Sequence, residues 1–345
     1  MPRVLLTGTN GFIGSHILDT LLSHGVSVRG LVRSDQKARQ VALDHPQAGS
    51  QLDFAIVPDM TAPNAFDEAL ISDPPFDAVI HTASPLSYTA GKTLADFIEP
   101  AVRGTMEILE GVNRVAPSVR RVVVTGSFAA IGNPKDMQGN GKVYTSQDWN
   151  PITEEEVSSA EPRLAYWVSK TLAEKVSWKF MQTQKPHYDL VVLNPPMVYG
   201  PLRHSVTSIE DVNVSNYNIW RDFLNSTKSS SIPKEWVHAD IDVRDLAEAH
   251  YRAAFTLKGG NKRYLIARGR ISNQEIADIL RKYFPEAHDR IPIGQPGTQS
   301  FPDNAFDIDG DEAKRDLDLT YRSYDETFKD LGRQLLDIGT SGTKI

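Results

Sequence analysis

The sequence has no cysteine among its 345 residues. This absence excludes disulfides, thiol nucleophiles and zinc sites built on thiolates. The nine histidines are scattered along the chain. Only His81 lies near a motif, and we expect it to be a buried structural residue. The acidic run from Asp307 to Asp311 differs from a calcium loop in its glycine position, so we interpret it as a turn that caps a helix beginning near Glu312. We therefore predict no metal site.

The sequence also lacks long apolar runs and an excess of positive charge. No run approaches the roughly 18 to 20 apolar residues that a membrane span needs. A strand-like run begins at Arg3 and leaves no room for a signal peptide, so we expect a cytoplasmic protein. The net charge of −7 argues against a nucleic-acid partner. It does not oppose a dinucleotide, because one local pocket can bind that. We expect a small-molecule substrate and a monomer or homodimer.

Regular elements are abundant in the first half of the chain. Hydrophobic residues make up 40% and charged residues 23%, as in ordinary globular proteins. Near-continuously apolar runs predict strands at 3–7, 26–32, 52–57, 76–81 and 119–125. Amphipathic stretches between them predict helices at 12–24, 64–71 and 95–116. This alternation predicts an α/β fold of the Rossmann type, with a doubly wound parallel sheet covered by helices on both faces.

The pattern continues and then weakens after Gly200. We predict strands at 189–193, 237–241 and 263–266, and helices at 165–182, 245–255, 272 onward and 324–336. The helix after Ser272 opens with a capping box to Glu275. We therefore divide the chain into a dinucleotide-binding core at 1–200 plus about 236–256, a smaller substrate-binding lobe at about 201–235 and 257–338, and a disordered tail at 339–345.

A glycine motif lies between the first strand and the first helix. Gly8 permits a tight turn, Gly11 lets the backbone approach a pyrophosphate, and Gly14 lets helix and strand pack closely. Free N–H groups at the helix N-terminus would then receive the phosphate charge. Because strand, motif, helix and second strand all follow in order, the motif predicts a dinucleotide site.

The end of the second strand indicates which dinucleotide. NAD binders usually place a carboxylate there to accept hydrogen bonds from the ribose hydroxyls. This strand instead ends in Arg33, with Lys37 four residues later. Both cations can pair with a 2′-phosphate, so we predict NADP(H) as the cofactor.

Three further residues predict carbonyl chemistry. Tyr166 and Lys170 are four residues apart in a predicted helix and therefore share a face. Ser127 follows the fifth strand, at the carboxyl edge where doubly wound sheets bind ligands. Hydride transfer to a carbonyl builds negative charge on oxygen, which Tyr166 can protonate and Ser127 can stabilise. A free phenol has a pKa near 10, and we expect the charge of Lys170 to lower the pKa of Tyr166.

These motifs together resemble the extended short-chain dehydrogenase/reductase superfamily, and within it the dihydroflavonol-reductase-like branch. The resemblance extends over about 1–335 and includes Asp59-Met60, the run from His81 to Pro85, the run from Asn194 to Pro201, and the run from Asp240 to Asp245. It implies the following cofactor contacts: Gly8, Thr9, Asn10, Gly11, Phe12 and Ile13 at the pyrophosphate, Arg33 and Lys37 at the 2′-phosphate, Asp59 and Met60 at the adenine, and Val198 at the nicotinamide end with Ser215 beyond it. Tyr166 and Lys170 are also implied to contact the cofactor, Lys170 by a bond to the nicotinamide ribose. One departure is Ala101, where many members place an Asn that supports a proton relay.

The favoured function is an NADPH-dependent aldehyde or ketone reductase. Two alternatives are a nucleotide-sugar epimerase or dehydratase, which would usually keep NAD bound, and a non-enzymatic NADP-sensing regulator. The aromatic residues Phe128, Trp167, Tyr199 and Tyr217 could line a substrate pocket or belong to the core. The sequence does not identify the physiological substrate.

Overall fold

A computed structural model of the chain describes residues 1–84, 93–137, 139, 141–157, 161–234 and 237–341. Pro85 of the quoted motif lies outside the described residues. The described part contains these strands: β1 (Arg3–Thr7), β2 (Ser27–Val32), β3 (Leu52–Ile56), β4 (Ala78–His81), β5 (Arg121–Thr125), β6 (Val143–Tyr144), β7 (Asp189–Asn194), β8 (Met197–Tyr199), β9 (Ala239–Asp242), β10 (Lys262–Leu265), β11 (Gly269–Arg270) and β12 (Asp307–Ile308).

The same part of the chain contains these α-helices: α1 (Phe12–Ser23), α2 (Asp35–Asp44), α3 (Asp67–Leu70), α4 (Ala95–Val115), α5 (Pro162–Gln184), α6 (Val214–Ile219), α7 (Val243–Phe255), α8 (Asn273–Tyr283), α9 (Asp311–Leu317) and α10 (Tyr324–Ser341). None of the helices in the described ranges is long and apolar enough to cross a membrane.

Seven parallel strands form the main sheet, in the spatial order β10-β7-β5-β4-β1-β2-β3. Helices α1 and α7 cover one face, where one buried apolar cluster includes Ile17 and Leu246. Helices α4 and α5 cover the other face, where a second cluster includes Ile108 and Phe180. Apolar strands covered on both faces give the doubly wound Rossmann architecture that the sequence predicts.

The strand register brings the carboxyl ends of several strands to one edge of the sheet. Thr7 lies opposite His81, and His81 lies opposite Val124. Thr125 lies opposite Leu193 of β7. The residues that follow β1, β4, β5 and β7 therefore meet at the carboxyl edge, where ligands bind in this fold.

A smaller lobe follows β8. Its core contains Phe223, Leu280, Phe328 and Leu335, contributed by the region after α6, by α8 and by α10. Strands β8, β9 and β11 form a separate three-stranded sheet, and β6 pairs with β12. Asp309 Oδ1 accepts a hydrogen bond from Asp311 N at 2.9 Å. The acidic run is thus a turn before α9, as the sequence predicts, and the helix begins one residue before Glu312.

The structure differs from the sequence-based division in several places. Strand β10 belongs to the main sheet, although the sequence-based division assigns residues 257–338 to the lobe. Strand β9 lies in the small sheet, although the same division assigns about 236–256 to the dinucleotide-binding core. Helix α10 continues to Ser341, beyond the predicted start of the tail at 339. Helix α2 is not predicted from the sequence, because its apolar stripe is too narrow: Val41 is its one buried residue. Without a wide apolar stripe, a surface helix gives no periodic signal.

Candidate active site

The glycine motif forms a tight loop between β1 and α1. Gly8 has φ +70°, and a Cβ atom there would lie 2.5 Å from Thr82 Oγ1. A Cβ atom on Gly14 would lie 2.0 Å from Gly8 O, so the helix can approach the loop only without that atom. Gly11 is the N-cap of α1, and a glycine has no side chain with which to cap the first helical N–H groups. The loop therefore offers backbone donors of the kind that hold a pyrophosphate.

The side chains of this loop play different parts. Thr9 is fully buried and its hydroxyl donates to Leu6 O at 2.8 Å. Any contact of Thr9 with a cofactor would therefore use its backbone. Asn10, Phe12 and Ile13 keep partial exposure at the start of α1. The Phe12 ring packs edge-on against His204 with centroids 6.5 Å apart.

The predicted 2′-phosphate residues lie at the N-terminus of α2. Arg33 directly precedes Ser34, the N-cap of this helix, and Ser34 Oγ accepts from Lys37 N at 3.4 Å. Arg33 and Lys37 are both exposed. Two exposed cations beside the positive end of a helix dipole fit a phosphate well.

Asp59 and Met60 follow β3 on the same side of the molecule. Hydrogen bonds from the Thr61 hydroxyl and backbone lower the pKa of Asp59, and the nearby Arg103 and Arg33 act in the same direction. Met60 is largely buried against α4, because a Cβ atom on Gly104 would lie 2.6 Å from Met60 Cε. Arg33 therefore lies close enough to Asp59 to lower the pKa of this carboxyl group.

Val198 and Ser215 also come together. The Ser215 hydroxyl donates to Val198 O at 2.6 Å, which joins β8 to the start of α6. The two residues predicted to lie at the nicotinamide end are therefore neighbours, and the Ser215 proton is already used by the protein.

Ser127 and Tyr166 form the centre of the site. The Tyr166 hydroxyl donates to Ser127 Oγ at 3.3 Å. Ser127 caps the short 3-10 helix Phe128–Ala130 and accepts from Ala129 N at 3.2 Å. Trp167, next to Tyr166, is buried edge-on against Phe128 with centroids 6.1 Å apart. This packing fixes the rotation of α5 and turns Tyr166 towards the end of β5.

Lys170 lies one helical turn after Tyr166. Its Nζ donates to Thr125 O at 3.1 Å, so a backbone carbonyl of β5 orients the ammonium group. Burial lowers the pKa of Lys170 to about 8, and the carboxylate of Glu174 opposes this effect. Burial raises the pKa of Tyr166, while the hydrogen bond to Ser127 opposes the rise. The expected lowering of the Tyr166 pKa by Lys170 is therefore wrong for the chain without cofactor, because burial outweighs the other influences.

His81 has the structural role expected from the sequence. Thr7 Oγ1 accepts from Thr82 N and Ala83 N, each at 3.1 Å, so its own proton points to His81 Nδ1 at 2.9 Å. Burial, with a smaller effect of Lys170, lowers the pKa of His81 to about 3, and the ring is neutral.

Ala101 borders a small cavity beside Lys170. His81 and Thr105 also line this cavity, which has a volume of about 20 Å³. That space suits about one water molecule.

The four aromatic residues left open by the sequence separate clearly. Phe128, Trp167 and Tyr199 are buried, each in an apolar cluster. Tyr217 is partly buried and packs against the lobe core. The first three are core residues, because little of each side chain remains for a substrate.

Sequence reasoning missed two buried residues around Ser127. Asn194 Oδ1 accepts from Ser127 N at 2.7 Å, and His250 Nε2 lies 2.7 Å from Thr125 Oγ1. Asn194 stood in a quoted motif without a role. His250 lies in a helix whose sequence gives no sign that one of its faces reaches β5. Only the packing of α7 on the sheet shows this contact.

Comparison with known proteins agrees with this geometry. A model of the NAD dependent epimerase/dehydratase family matches residues 4–267. A ketoreductase of Aspergillus niger is 35% identical over 338 residues, which covers 97% of this chain and 98% of that protein. The NADPH-dependent methylglyoxal reductase of Saccharomyces cerevisiae is 32% identical over 347 residues, with 96% and 98% coverage.

Solved structures give the same relationship. The crystal structure of yeast methylglyoxal/isovaleraldehyde reductase complexed with NADPH is similar with a TM-score of 0.87 at 30% identity, covering 99% of both chains. Gre2 of Candida albicans, also solved in complex with NADPH, has a TM-score of 0.88 at 27% identity and covers 98% of this chain and 99% of its own. With its glycine loop, its Ser127, Tyr166 and Lys170 and these relatives, the chain belongs to the NAD dependent epimerase/dehydratase family, the extended short-chain dehydrogenases/reductases.

Proposed function

We propose that this protein is an NADPH-dependent reductase of aldehydes or ketones, with Tyr166 as the general acid. The observation that carries the proposal is the 3.3 Å hydrogen bond between Tyr166 and Ser127, beside the buried Lys170 at the carboxyl edge of the sheet. The reductases among its relatives support the substrate class.

The residues of the proposed cofactor site fit NADPH. The loop from Gly8 to Ile13 would bind the pyrophosphate through backbone N–H groups. Arg33 and Lys37 would hold the 2′-phosphate, and no carboxylate at the tip of β2 competes for it. When bound, NADPH supplies the hydride that reduces the carbonyl carbon.

The three catalytic side chains would handle the proton and the charge on the carbonyl oxygen. Ser127 Oγ accepts from Tyr166 and from Ala129 N, so its own proton can be donated to the carbonyl oxygen. The raised pKa keeps Tyr166 protonated near neutral pH, ready to transfer its proton to that oxygen. Lys170, held by Thr125 O, would stabilise the phenolate that remains.

The substitution Tyr166→Phe tests this proposal. Loss of a general acid should lower kcat for NADPH-dependent reduction of an aldehyde by roughly 10² to 10⁴-fold. Loss of an ordinary hydrogen bond would cost about 1 kcal/mol of stability and leave kcat near normal. Tyr188→Phe is the matched control, because Tyr188 is buried on the α4 side and donates to Leu109 O at 2.7 Å.

Near-normal turnover of Tyr166→Phe would refute the mechanism. Tightly bound NAD in the purified protein, with no oxidation of NADPH by any aldehyde or ketone, would favour an epimerase or dehydratase instead. Tight NADPH binding without any turnover would favour the non-enzymatic regulator.

A further inference from the structure

Residues 125–127 at the end of β5 contact both of the proposed catalytic partners. Thr125 O accepts from Lys170 Nζ at 3.1 Å, and Ser127 Oγ accepts from Tyr166 at 3.3 Å. A small shift of this three-residue segment would therefore misplace the ammonium group and the phenol together. Catalytic groups must be held within about 0.5 Å of their productive positions. What holds the segment consequently matters for rate.

Asn194 holds one end of the segment. It is fully buried at the end of β7, and its Oδ1 accepts from Ser127 N at 2.7 Å. A Cβ atom on Gly126 would lie 2.0 Å from Asn194 Oδ1, so this approach needs glycine at 126.

The NH₂ group of the Asn194 carboxamide does not stabilise the fold. Asn194 Nδ2 is buried and, within the described residues, has no hydrogen-bond partner. An unsatisfied buried donor costs about 1 to 3 kcal/mol. An apolar side chain of this shape would avoid that cost but would leave Ser127 N without its acceptor, so what the carboxamide supplies at this position is the oxygen that places Ser127.

His250 holds the other end from the opposite face of the sheet. It is fully buried on α7, and its Nδ1 lies 2.8 Å from Leu246 O. A carbonyl oxygen can only accept, so Nδ1 carries the proton of the neutral ring and Nε2 is the acceptor. The Thr125 hydroxyl therefore donates to His250 Nε2 at 2.7 Å. This bond fixes the side chain of the same residue whose carbonyl orients Lys170.

We propose that Asn194 and His250 are positioning residues for carbonyl reduction: Asn194 places Ser127, and His250 places Thr125 and through it Lys170. This inference rests on the proposed function of Ser127, Tyr166 and Lys170. Neither side chain needs to touch substrate or cofactor in order to act in this way.

The test for Asn194 uses three variants assayed with NADPH and one aldehyde. Asn194→Leu removes the acceptor and should lower kcat roughly 10- to 100-fold, as a misplacement of about 1 Å does, with KM for NADPH nearly unchanged. Asn194→Asp keeps an oxygen acceptor for Ser127 N and should restore most of kcat. In a Ser127→Ala background, Asn194→Leu should add less than about a threefold loss, because residues that act as a unit are not additive.

Gly126→Ala covers the case in which Asn194→Leu does not fold. It pushes the carboxamide away while Asn194 remains in the chain, and it should lower kcat to a similar extent. Tyr188→Phe is again the control for loss of a buried hydrogen bond, and its kcat should equal that of the unchanged protein.

For His250, the pair to compare is Thr125→Val and His250→Leu. Each should lower kcat, and the double variant should be no slower than the slower single variant. His250→Gln, which keeps an acceptor, should recover part of the loss. Melting temperatures measured on every variant separate folding from rate.

The proposal is overturned if Asn194→Leu and His250→Leu keep normal kcat while their melting temperatures fall. It is also overturned if Asn194→Leu slows the Ser127→Ala enzyme as much as it slows the unchanged one. Failure of the proposed function gives a different pattern, in which the unchanged protein reduces no carbonyl or Tyr166→Phe is fully active.

Discussion

The ionisation of Lys170 should set the alkaline limb of activity. Burial lowers the pKa of Lys170 to about 8, whereas burial raises the pKa of Tyr166. Reduction needs both groups protonated, so Lys170 is the first of the two to lose its proton as pH rises. With a pKa of about 8, the ammonium form falls from roughly 90% at pH 7 to roughly 10% at pH 9. An unperturbed lysine, with a pKa near 10.4, would stay above roughly 95% charged over that range.

The perturbation that tests this assignment is Lys170→Arg. A guanidinium group stays charged at every accessible pH. The variant should be slower overall, because its larger head group cannot repeat the contact of Nζ with Thr125 O. Its alkaline limb should nevertheless move well above pH 9, where Tyr166 itself begins to ionise.

The measurement is kcat/KM for NADPH between pH 6 and pH 10 at saturating aldehyde, since this ratio reports groups of the free enzyme. The unchanged protein should lose about tenfold between pH 7 and pH 9. Unfolding caused by the titration of Lys170 does not explain such a loss. Between pH 8 and about 10.4 the side chain of Lys170 is more protonated in the unfolded chain than in the folded one. The contribution of Lys170 to the free energy of unfolding therefore rises with pH over this range. A limb near pH 8 that stays in place in Lys170→Arg would refute the assignment.

Three other expectations are open to simple measurements. Arg33→Ala should raise KM for NADPH at least tenfold, since a charged hydrogen bond contributes about 1.5 to 3 kcal/mol, and should leave KM for NADH unchanged. Arg39→Ala, in the adjacent helix α2, is the control, and equal losses with both cofactors would place Arg33 outside the phosphate site. NADPH at a hundredfold excess over its Kd should stabilise the fold by about 2.7 kcal/mol in thermal melts, whereas a calcium-induced rise would contradict the turn assigned to residues 307–311. Arg268→Ala should lower the free energy of unfolding in urea by about 3 to 5 kcal/mol, because it leaves the fully buried Asp240 without its ion-pair partner. Lys282→Ala is the control: it breaks an exposed pair with Asp325 and should cost under about 1 kcal/mol. Equal losses in the two variants would contradict the burial argument.

The sequence determined the core of the fold because its signals are local. Strands β1 to β5 and β7 of the main sheet lie within two residues of their predicted bounds at either end, since an apolar run covered on both faces needs no partner to be recognised. The glycine loop was equally predictable, because a Cβ atom on Gly8 or on Gly14 would clash with neighbouring atoms. The spacing of Tyr166 and Lys170 placed both on one helical face, and the position of Ser127 after β5 placed it at the ligand edge.

Only the tertiary structure decided how these pieces act together. Strand β10 joined the main sheet although its charged start, Lys262-Arg263, gives no sign of which sheet it completes. The pKa of Tyr166 depends on how deeply the phenol is enclosed, which spacing along a helix does not reveal. Asn194 and His250 reach residues 125–127 from a neighbouring strand and from a helix on the far face. Contacts between residues 67 and 125 positions apart in the chain leave no local pattern, because they arise only when packed elements bring distant side chains within hydrogen-bond reach.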